Sequence, residues 1–183
     1  MANVLITGGT GLIGRHLVPF LRGRGHQVGV LSRSGRPVAG ARMFSWQPEQ
    51  DRLNEEAVRW AEAVVHLAGA NIGEGRWTEQ RKQEIFDSRV RSAELLYRAA
   101  EQAGARLKVF VSASATGYYG LVTQDQPFRE TDPPGRDFLA GVCTAWEQAA
   151  DQFSELGARV VKLRTGVVLA ADGGALPRFA GPA

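Results

Sequence analysis

Cysteine is nearly absent from this sequence of 183 residues, and its scarcity narrows the class of protein. The single Cys143 cannot form a disulfide within the chain, and the three histidines are too scattered to build a zinc cluster with it. No apolar run approaches the length of a membrane span, and the N-terminus lacks the basic and apolar regions of a signal peptide. The sequence therefore predicts a cytoplasmic protein without a disulfide, a metal site or a membrane segment.

Acidic residues are absent from the first 48 positions, which contain six arginines. The net charge of the whole chain is only +3, and that value does not by itself indicate binding to nucleic acid. Aromatic residues also do not alternate with basic ones, as a stacking platform for single strands requires. We therefore predict no nucleic-acid partner. The local excess of arginine is either a chance imbalance or a surface that faces a smaller anion.

Apolar runs alternate with segments of helical periodicity along the whole chain. Strands that are apolar throughout and alternate with helices are typical of a parallel sheet covered on both faces. The sequence therefore predicts an α/β fold, a Rossmann-type doubly wound parallel sheet with helices on both faces. The predicted strands are 3–7, 28–31, 42–46, 63–67, 107–111 and 159–163, and the predicted helices are 12–21, 53–61, 78–103 and 137–156.

Two regions are predicted to lack regular elements. A loop rich in glycine and proline covers 117–136. After the last strand, 173–175 and 180–183 are small residues, glycine and proline that are not expected to build another element. We therefore expect the sequence to stop before a natural domain boundary.

Three glycines follow the first strand at a regular spacing. Gly8, Gly11 and Gly14 lie between that strand and the first helix, where a tight turn lets the backbone approach a pyrophosphate at the helix N-terminus. The pattern alone is a weak signal, but its place in a strand–turn–helix–strand unit strengthens it. No Gly-Lys-Ser/Thr ending follows, which disfavours a nucleoside-triphosphate loop. The alternative is a glycine turn that only connects the strand and the helix.

The end of the second strand indicates which dinucleotide binds. Sites for NAD usually place an acid there, hydrogen-bonded to the ribose 2′-hydroxyl, whereas this strand ends in LSRS without an acid. Arg33 can pair with a 2′-phosphate, Ser32 can donate its hydroxyl, and Arg15 can add to the positive charge. We therefore predict NADP(H). The alternative is that both arginines are solvated surface residues.

The chain resembles the extended short-chain dehydrogenases/reductases in the segments TGGTGLIG, LSRS, HLAG, SASATGYYG and RTGVVL. The segments HLAGANI, RW, SR and AWE narrow the resemblance to the atypical subgroup whose members are called epimerase family proteins. The resemblance covers nearly the whole chain and implies a Rossmann fold, NADP(H) binding and a C-terminal substrate-binding portion. On this basis, residues 1–183 are predicted to be an NADP(H)-binding domain that stops before that portion.

The resemblance also implies which residues contact the cofactor. The three glycines would bind the pyrophosphate, the end of the second strand the 2′-phosphate, and the end of the fourth strand the length of the cofactor. Two residues of the long helix would reach the cofactor side, although that helix face can equally be packed or exposed. The implied contacts are Gly8, Gly11, Gly14, Ser32, Arg33, Leu67, Ala68, Gly69, Glu84 and Arg89.

The catalytic residues match the family only in part. Members use a Ser or Thr, a Tyr, and a Lys four residues after the Tyr. Ser114 matches the first position, but Cys143 and Glu147 stand where the Tyr and the Lys are expected. A carboxylate beside a thiol raises the pKa of the thiol, which is the reverse of what the Lys does to the Tyr.

Three interpretations of this difference stay open. Cys143 can be a small buried residue, Tyr118 or Tyr119 can supply the proton donor, or the protein can bind NADP(H) without turnover. We predict Ser114 and Tyr118 as the catalytic pair of an NADP(H)-dependent oxidoreductase or epimerase-like enzyme acting on a small molecule. The alternative is a non-catalytic NADP(H)-binding regulatory protein.

Overall fold

One seven-stranded sheet organises the chain, as seen in a computed structural model that describes residues 1–121 and 123–176. The strand order is β4-β3-β2-β1-β5-β6-β7, and all neighbours pair in parallel except β3 and β4. The predicted doubly wound parallel sheet is thereby confirmed. The strands are β1 (Asn3–Thr7), β2 (Gln27–Ser32), β3 (Arg42–Gln47), β4 (Arg52–Leu53), β5 (Ala63–His66), β6 (Val109–Ala115) and β7 (Arg159–Thr165).

Helices cover both faces of the sheet. They are α1 (Leu12–Gly23), α2 (Glu55–Trp60), α3 (Glu79–Asp87), α4 (Val90–Gln102) and α5 (Phe138–Asp151), with 3-10 turns at Pro48–Gln50, Thr116–Tyr119 and Gln152–Leu156. Successive side chains of β1 point to opposite faces of the sheet. Val4 and Ile6 pack with Val18 of α1 on one face, and Leu5 lies on the other face, in the larger core beneath α2, α4 and α5. Among the described residues, no helix has the length and apolar character needed to cross a membrane.

The predicted helix over 78–103 is wrong as a single element. It breaks between α3 and α4 at Ser88 and Arg89. The Ser88 hydroxyl donates to the carbonyl of Ile85 at 3.2 Å and accepts from the backbone N–H of Ala70 at 2.9 Å. This contact with the loop after β5 competes with regular helix geometry, because serine hydroxyls readily bond to nearby backbone groups. The break turns Ser88 and Arg89 towards the end of β5.

Three further boundaries differ from the prediction. The helix expected over 53–61 begins only at Glu55, because Leu53 pairs with Trp46 in the short antiparallel β4. The strand expected over 107–111 runs from Val109 to Ala115. The chain after β7 does form an element, since β8 (Leu169–Ala170) pairs with β9 (Gly173–Gly174). Residues 180–183 lie outside the described residues.

The order of the strands places a crevice beside β1. The chain runs outward from β1 through β2 on one side and through β5 on the other, so that the connections diverge at this point. Residues that follow parallel strands meet at the carboxyl edge of the sheet, and ligands of open α/β sheets bind in such a crevice. The sequence segments singled out above follow β1, β2, β5 and β6 at this edge.

Candidate functional site

A cavity of about 860 Å³ lies at the carboxyl ends of β1, β2 and β5. Eight of the ten predicted cofactor contacts line it. Gly14 lies behind the glycine turn, and Arg89 lies behind the loop after β5. The eight lining residues are Gly8, Gly11, Ser32, Arg33, Leu67, Ala68, Gly69 and Glu84.

The glycine turn is packed too closely for a larger residue at Gly8 or Gly14. Gly8 has a φ of +67°, and a Cβ atom there would lie 2.9 Å from the carbonyl of Leu67. A Cβ atom on Gly14 would lie 2.4 Å from the carbonyl oxygen of Gly8, so the helix begins directly against the turn. Gly11 is the N-cap of α1, without a side-chain cap and without an acid in the first turn. The first N–H groups of α1 are therefore left for a ligand, beside the cavity.

A threonine hydroxyl fixes the loop after β5 to the end of β1. The Oγ1 atom of Thr7 accepts hydrogen bonds from the backbone N–H groups of Leu67 and Ala68, both at 3.1 Å. With these two acceptor positions used, the hydroxyl donates to Nδ1 of His66 at 2.8 Å. The lining residues of the cavity at Leu67 and Ala68 are thus oriented from beneath by Thr7.

His66 is a buried structural residue of β5. Because Nδ1 accepts from Thr7, Nε2 carries the hydrogen and donates to the hydroxyl of Ser92 at 3.2 Å. Burial lowers the pKa of His66 from 6.5 to about 4, so the ring is neutral at pH 7. The hydrogen bonds from Thr7 to His66 and from His66 to Ser92 join β1, β5 and α4. Its members are far apart in the sequence, and no local pattern pointed to them.

Arg89 supports the cavity wall from behind. A Cβ atom on Gly69 would lie 3.0 Å from the Cζ atom of Arg89. The guanidinium of Arg89 donates to the carbonyls of Ala70 and Ile85, both at 3.0 Å. It also lies over the ring of Trp146, with Cζ 5.3 Å from the centroid. No carboxylate within the described ranges forms an ion pair with Arg89. Glu84, by contrast, lines the cavity and pairs with Arg81 at 2.6 Å.

The end of the cavity beside β2 contains a carboxylate that the sequence prediction missed. Arg33 lies at the end of β2 as expected, but its Nη1 atom is 3.1 Å from Oε1 of Glu49. The expectation that no acid lies within reach of the second strand is therefore wrong. Glu49 comes from the 3-10 turn that follows the neighbouring β3. Ser32 is buried, and its Oγ lies 3.3 Å from Oγ of Ser34.

Arg15 does not add its charge to this end of the cavity. Its Nη2 atom donates to the carbonyl oxygen of Asp172 at 2.7 Å and lies 3.0 Å from the carboxylate of the same residue. His16 also contacts that carboxylate, at 3.2 Å. One position past Gly14, the helix presents Arg15 to the turn between β8 and β9. The expected contribution of Arg15 to the 2′-phosphate site is thus not supported.

At the end of β6, a buried carboxylate binds the predicted catalytic serine. The Ser114 hydroxyl donates to Oε1 of Glu147 at 2.7 Å, and Arg164 donates to both oxygens of Glu147 from Nε and Nη2, each at 2.8 Å. The side chains of Glu147 and Arg164 are only 6% and 15% exposed. Burial alone would raise the pKa of Glu147, but the hydrogen bonds from Arg164 and Ser114 and the charge of Arg164 hold it below its ordinary value.

Arg164 contacts both candidate tyrosines, but in different ways. Its Nη1 atom donates to the Tyr119 hydroxyl at 2.9 Å, and that hydroxyl in turn donates to the carbonyl of Arg129 at 3.0 Å. The guanidinium covers the ring of Tyr118, with Cζ 3.4 Å from the centroid. Of these two tyrosines, only Tyr118 has a hydroxyl that makes no hydrogen bond with the described part of the chain. Arg164 was missed from the sequence, although it begins the segment RTGVVL.

Cys143 is buried on the face of α5 that also presents Glu147. Burial raises the pKa of its thiol, and the carboxylate of Glu147 raises it further against the opposing charges of Arg89 and Arg164. The predicted direction of the shift is confirmed, although burial contributes more than Glu147. Cys143 is therefore a thiol at neutral pH and packs as a small core residue.

Together, the sheet and the cavity beside β1 define a Rossmann-type α/β domain. The chain belongs to the NAD dependent epimerase/dehydratase family, whose sequence profile matches residues 4–169. It is 41% identical over 178 residues to an epimerase family protein of Mycobacterium leprae, an alignment that covers 97% of this chain and 56% of the relative. The chain therefore spans a little over half the length of that relative.

Two solved structures share the fold. The nucleoside-diphosphate sugar epimerase of Corynebacterium glutamicum is 36% identical with a TM-score of 0.81, over 99% of this chain and 38% of that one. The human epimerase family protein, solved with NADPH, is 33% identical with a TM-score of 0.79, over 97% of this chain and 58% of that one. The resemblance to epimerase family proteins is thereby confirmed.

Proposed function

We propose that this chain is the NADP(H)-binding part of an oxidoreductase or epimerase-like enzyme. The observation that carries the proposal is the uncapped start of α1 beside the cavity, where Gly8 and Gly14 leave no room for a side chain. A dinucleotide pyrophosphate needs such close backbone approach together with free N–H groups. The human relative solved with NADPH supports the same cofactor.

The residues of the cavity fit the parts of this cofactor. The N–H groups that follow Gly11 would bind the pyrophosphate, Ser32 and Arg33 the 2′-phosphate, and the backbone at Ala68 and Gly69 would lie along the ribose and the ring. When bound, the nicotinamide accepts or donates a hydride. The protein's part is to hold that ring against the substrate and to move a proton.

Two side chains near the end of β6 are left for the proton. The hydrogen of the Ser114 hydroxyl is directed to Glu147, so Ser114 can offer only lone pairs to the hydroxyl of a small-molecule substrate. Tyr118 keeps a hydroxyl that makes no hydrogen bond in the described part of the chain, and we propose that it exchanges the proton. Glu147 and Arg164 position Ser114 and take no direct part.

Calorimetric titration of the chain with NADPH and, separately, NADH tests the cofactor assignment. We expect one site with a preference for NADPH that Arg33→Ala abolishes. Absence of binding to either dinucleotide would overturn the proposal, since the glycine turn would then only connect β1 to α1.

A substitution at Gly11 separates binding from folding. Gly11 has φ −77° and ψ 179°, the extended geometry in which an N-cap Asp accepts hydrogen bonds from its own helix. Gly11→Asp should therefore fold, yet it places a carboxylate where the pyrophosphate binds and should weaken NADPH binding by about 100-fold. Gly11→Ala is the matched control for the added Cβ atom, which would lie 3.2 Å from the carbonyl of Gly8. Equal affinities of the two variants would count against the proposed pyrophosphate site.

One observation favours a second candidate, a non-catalytic NADP(H)-binding regulatory protein. Ser114 and Tyr119 both have their hydroxyls engaged within the protein, by Glu147 and by Arg129 and Arg164. Turnover of the cofactor by the full-length protein with any of a broad panel of carbonyls, alcohols and sugar nucleotides would exclude this candidate. Absence of turnover, together with a protein partner bound differently in NADPH and in NADP⁺, would establish it.

A further inference from the structure

Two opposite charges face each other at the end of the cavity beside β2. Arg33 and Glu49 both line it, and their side chains form an ion pair of 3.1 Å while remaining 70% and 66% exposed. Glu49 is also the first acidic residue of the chain. An acid from the turn after β3 thus lies near the end of β2 and is already paired with the arginine proposed to bind the 2′-phosphate.

The backbone of Glu49 is held in place on both sides. Ser45 of β3 lies opposite Ser32 of β2, so the chain beyond β3 continues beside the chain beyond β2. The 3-10 turn Pro48–Gln50 follows and ends at Asp51, which adopts a left-handed conformation and forms an ion pair with Arg98 of α4. The short β4 then pairs back onto β3. The carboxylate of Glu49 therefore reaches Arg33 from a fixed segment.

A carboxylate at this place acts oppositely on the two dinucleotides. A 2′-phosphate must take Arg33 away from Glu49 and then remain close to a like charge, which opposes binding. A 2′-hydroxyl can instead donate a hydrogen bond to the carboxylate, as it does to the acid that ends the second strand in NAD sites. Glu49 therefore lowers the affinity for NADPH and raises the affinity for NADH.

We propose that Glu49 is a specificity-determining residue that contacts the ribose 2′ position from the turn after β3. It reduces the preference for NADP(H) over NAD(H) that Arg33 provides. The inference depends on the proposed function, because it concerns the same cofactor site. It predicts that the chain accepts both dinucleotides and that the ratio of their affinities is set by the Arg33–Glu49 pair. Arg33 binds the phosphate, and Glu49 keeps the hydroxyl form competitive.

Calorimetric titration of Glu49→Gln with NADPH and NADH is the test. We expect the dissociation constant for NADPH to fall about fivefold, the effect of removing one exposed ion pair, and that for NADH to rise about threefold. Adenosine 2′,5′-bisphosphate, which lacks the nicotinamide half, should show the same gain as NADPH. The gain should shrink in 1 M salt, because the interaction is electrostatic.

Glu55→Gln is the matched control. Glu55 pairs with Arg59 within α2, is similarly exposed, and does not line the cavity, so its loss removes the same charge elsewhere. We expect it to change neither affinity. If the unmodified chain binds neither dinucleotide, the proposed function falls and the inference falls with it. If the chain binds NADPH but the ratio of the NADPH and NADH dissociation constants of Glu49→Gln stays within about twofold of that of the unmodified chain, only the role of Glu49 is overturned.

Discussion

The two ends of the sheet's carboxyl edge differ in whether their polar groups have partners within the protein. At the glycine end, formed by residues 8–14 with Ser32 and Arg33, the first N–H groups of α1 have no side-chain cap. At the serine end, formed by Ser114, Glu147 and Arg164, each polar side chain binds another one. The first end is left incomplete without a ligand, whereas the second is complete without one.

This difference separates binding from architecture within one family site. The first N–H groups of a helix have no partner within it, so an uncapped helix start beside a cavity offers them to an anion. A closed ion-pair network gives no such indication and instead joins α5 to β7 and β6. The glycine end thus keeps groups available to a ligand, whereas Glu147 joins elements of the fold.

The largest change in the free energy of unfolding should come from breaking the ion pair between Glu147 and Arg164 at the serine end. Glu147→Ala leaves the largely buried guanidinium of Arg164 without its carboxylate, and breaking one side of a buried ion pair costs about 4 kcal/mol. We expect that loss in the free energy of unfolding measured with urea at pH 7. NADPH affinity of the folded fraction should stay unchanged.

Glu55→Ala is the control for this variant, because it removes an exposed partner of Arg59. Exposed pairs of this kind contribute about 0.5 kcal/mol or less. A loss of similar size for Glu147→Ala would mean that the serine end is as open as the glycine end, and the comparison would fail.

The next effect depends on pH and concerns the layer beneath the glycine end. The pKa of His66 is lowered from 6.5 to about 4, so the folded state disfavours the protonated ring relative to the unfolded state. The neutral ring therefore contributes its full stability above pH 6.5, and this is lost as the pH falls towards 4. The loss amounts to about 3 kcal/mol.

Urea unfolding of the chain and of His66→Gln, from about pH 7.5 to about pH 4.5, measures this contribution. Carboxylates titrate in both proteins, so the difference between the two curves isolates the histidine. The curve of the variant should be flatter by about 2.5 kcal/mol over this range. Parallel curves would show that His66 is not the buried neutral group inferred from its bonds to Thr7 and Ser92.

A smaller effect should join stability to cofactor binding. Thr7→Val keeps the shape of the side chain but removes the acceptor of two backbone N–H groups, those of Leu67 and Ala68. The N–H of Leu67 keeps a bond of 3.3 Å to the backbone carbonyl of Thr7, so only the N–H of Ala68 loses its partner. Leaving that group without a partner costs about 2 kcal/mol. Because both residues line the cavity, NADPH affinity should also fall, by about tenfold.

Thr165→Val is the matched control at the serine end. The Thr165 hydroxyl donates a single hydrogen bond of 3.2 Å to the backbone carbonyl of Ser114. Its loss should cost less than about 1 kcal/mol and should leave NADPH affinity unchanged. If both variants weakened NADPH equally, the two ends would not be independent.

The glycine end could be predicted from the sequence because its signals are local. A strand, three spaced glycines and a helix follow one another within the first 23 residues, and their order alone fixes the turn. The strands near it were also predicted, since each is a short apolar run. Glu49 was missed because it reaches Arg33 from the 3-10 turn after β3, 16 positions away.

The serine end could not be predicted, because its contacts connect separate elements. Arg164 at the end of β7 meets Glu147 on α5 only after the sheet has formed, and no spacing in the sequence announces the pair. The break between α3 and α4 has the same kind of cause, since Ser88 contacts Ala70 in the loop after β5. Family resemblance singled out Ser114 but could not show that its hydrogen is directed to a carboxylate.

The smallest change tests whether the serine end belongs to the cofactor site at all. Ser114→Ala removes one hydrogen bond to Glu147, whose two bonds from Arg164 remain, so stability should fall by only about 1.5 kcal/mol. NADPH affinity should not change, while any turnover by the full-length protein should fall, because Ser114 is proposed to orient the substrate oxygen. Ser112→Ala is the control, a buried serine on the same strand whose hydroxyl donates only to the carbonyl of Ala113 at 2.9 Å. A rise of more than about fivefold in the NADPH dissociation constant of Ser114→Ala alone would place Ser114 within the cofactor site and remove the boundary between the two ends.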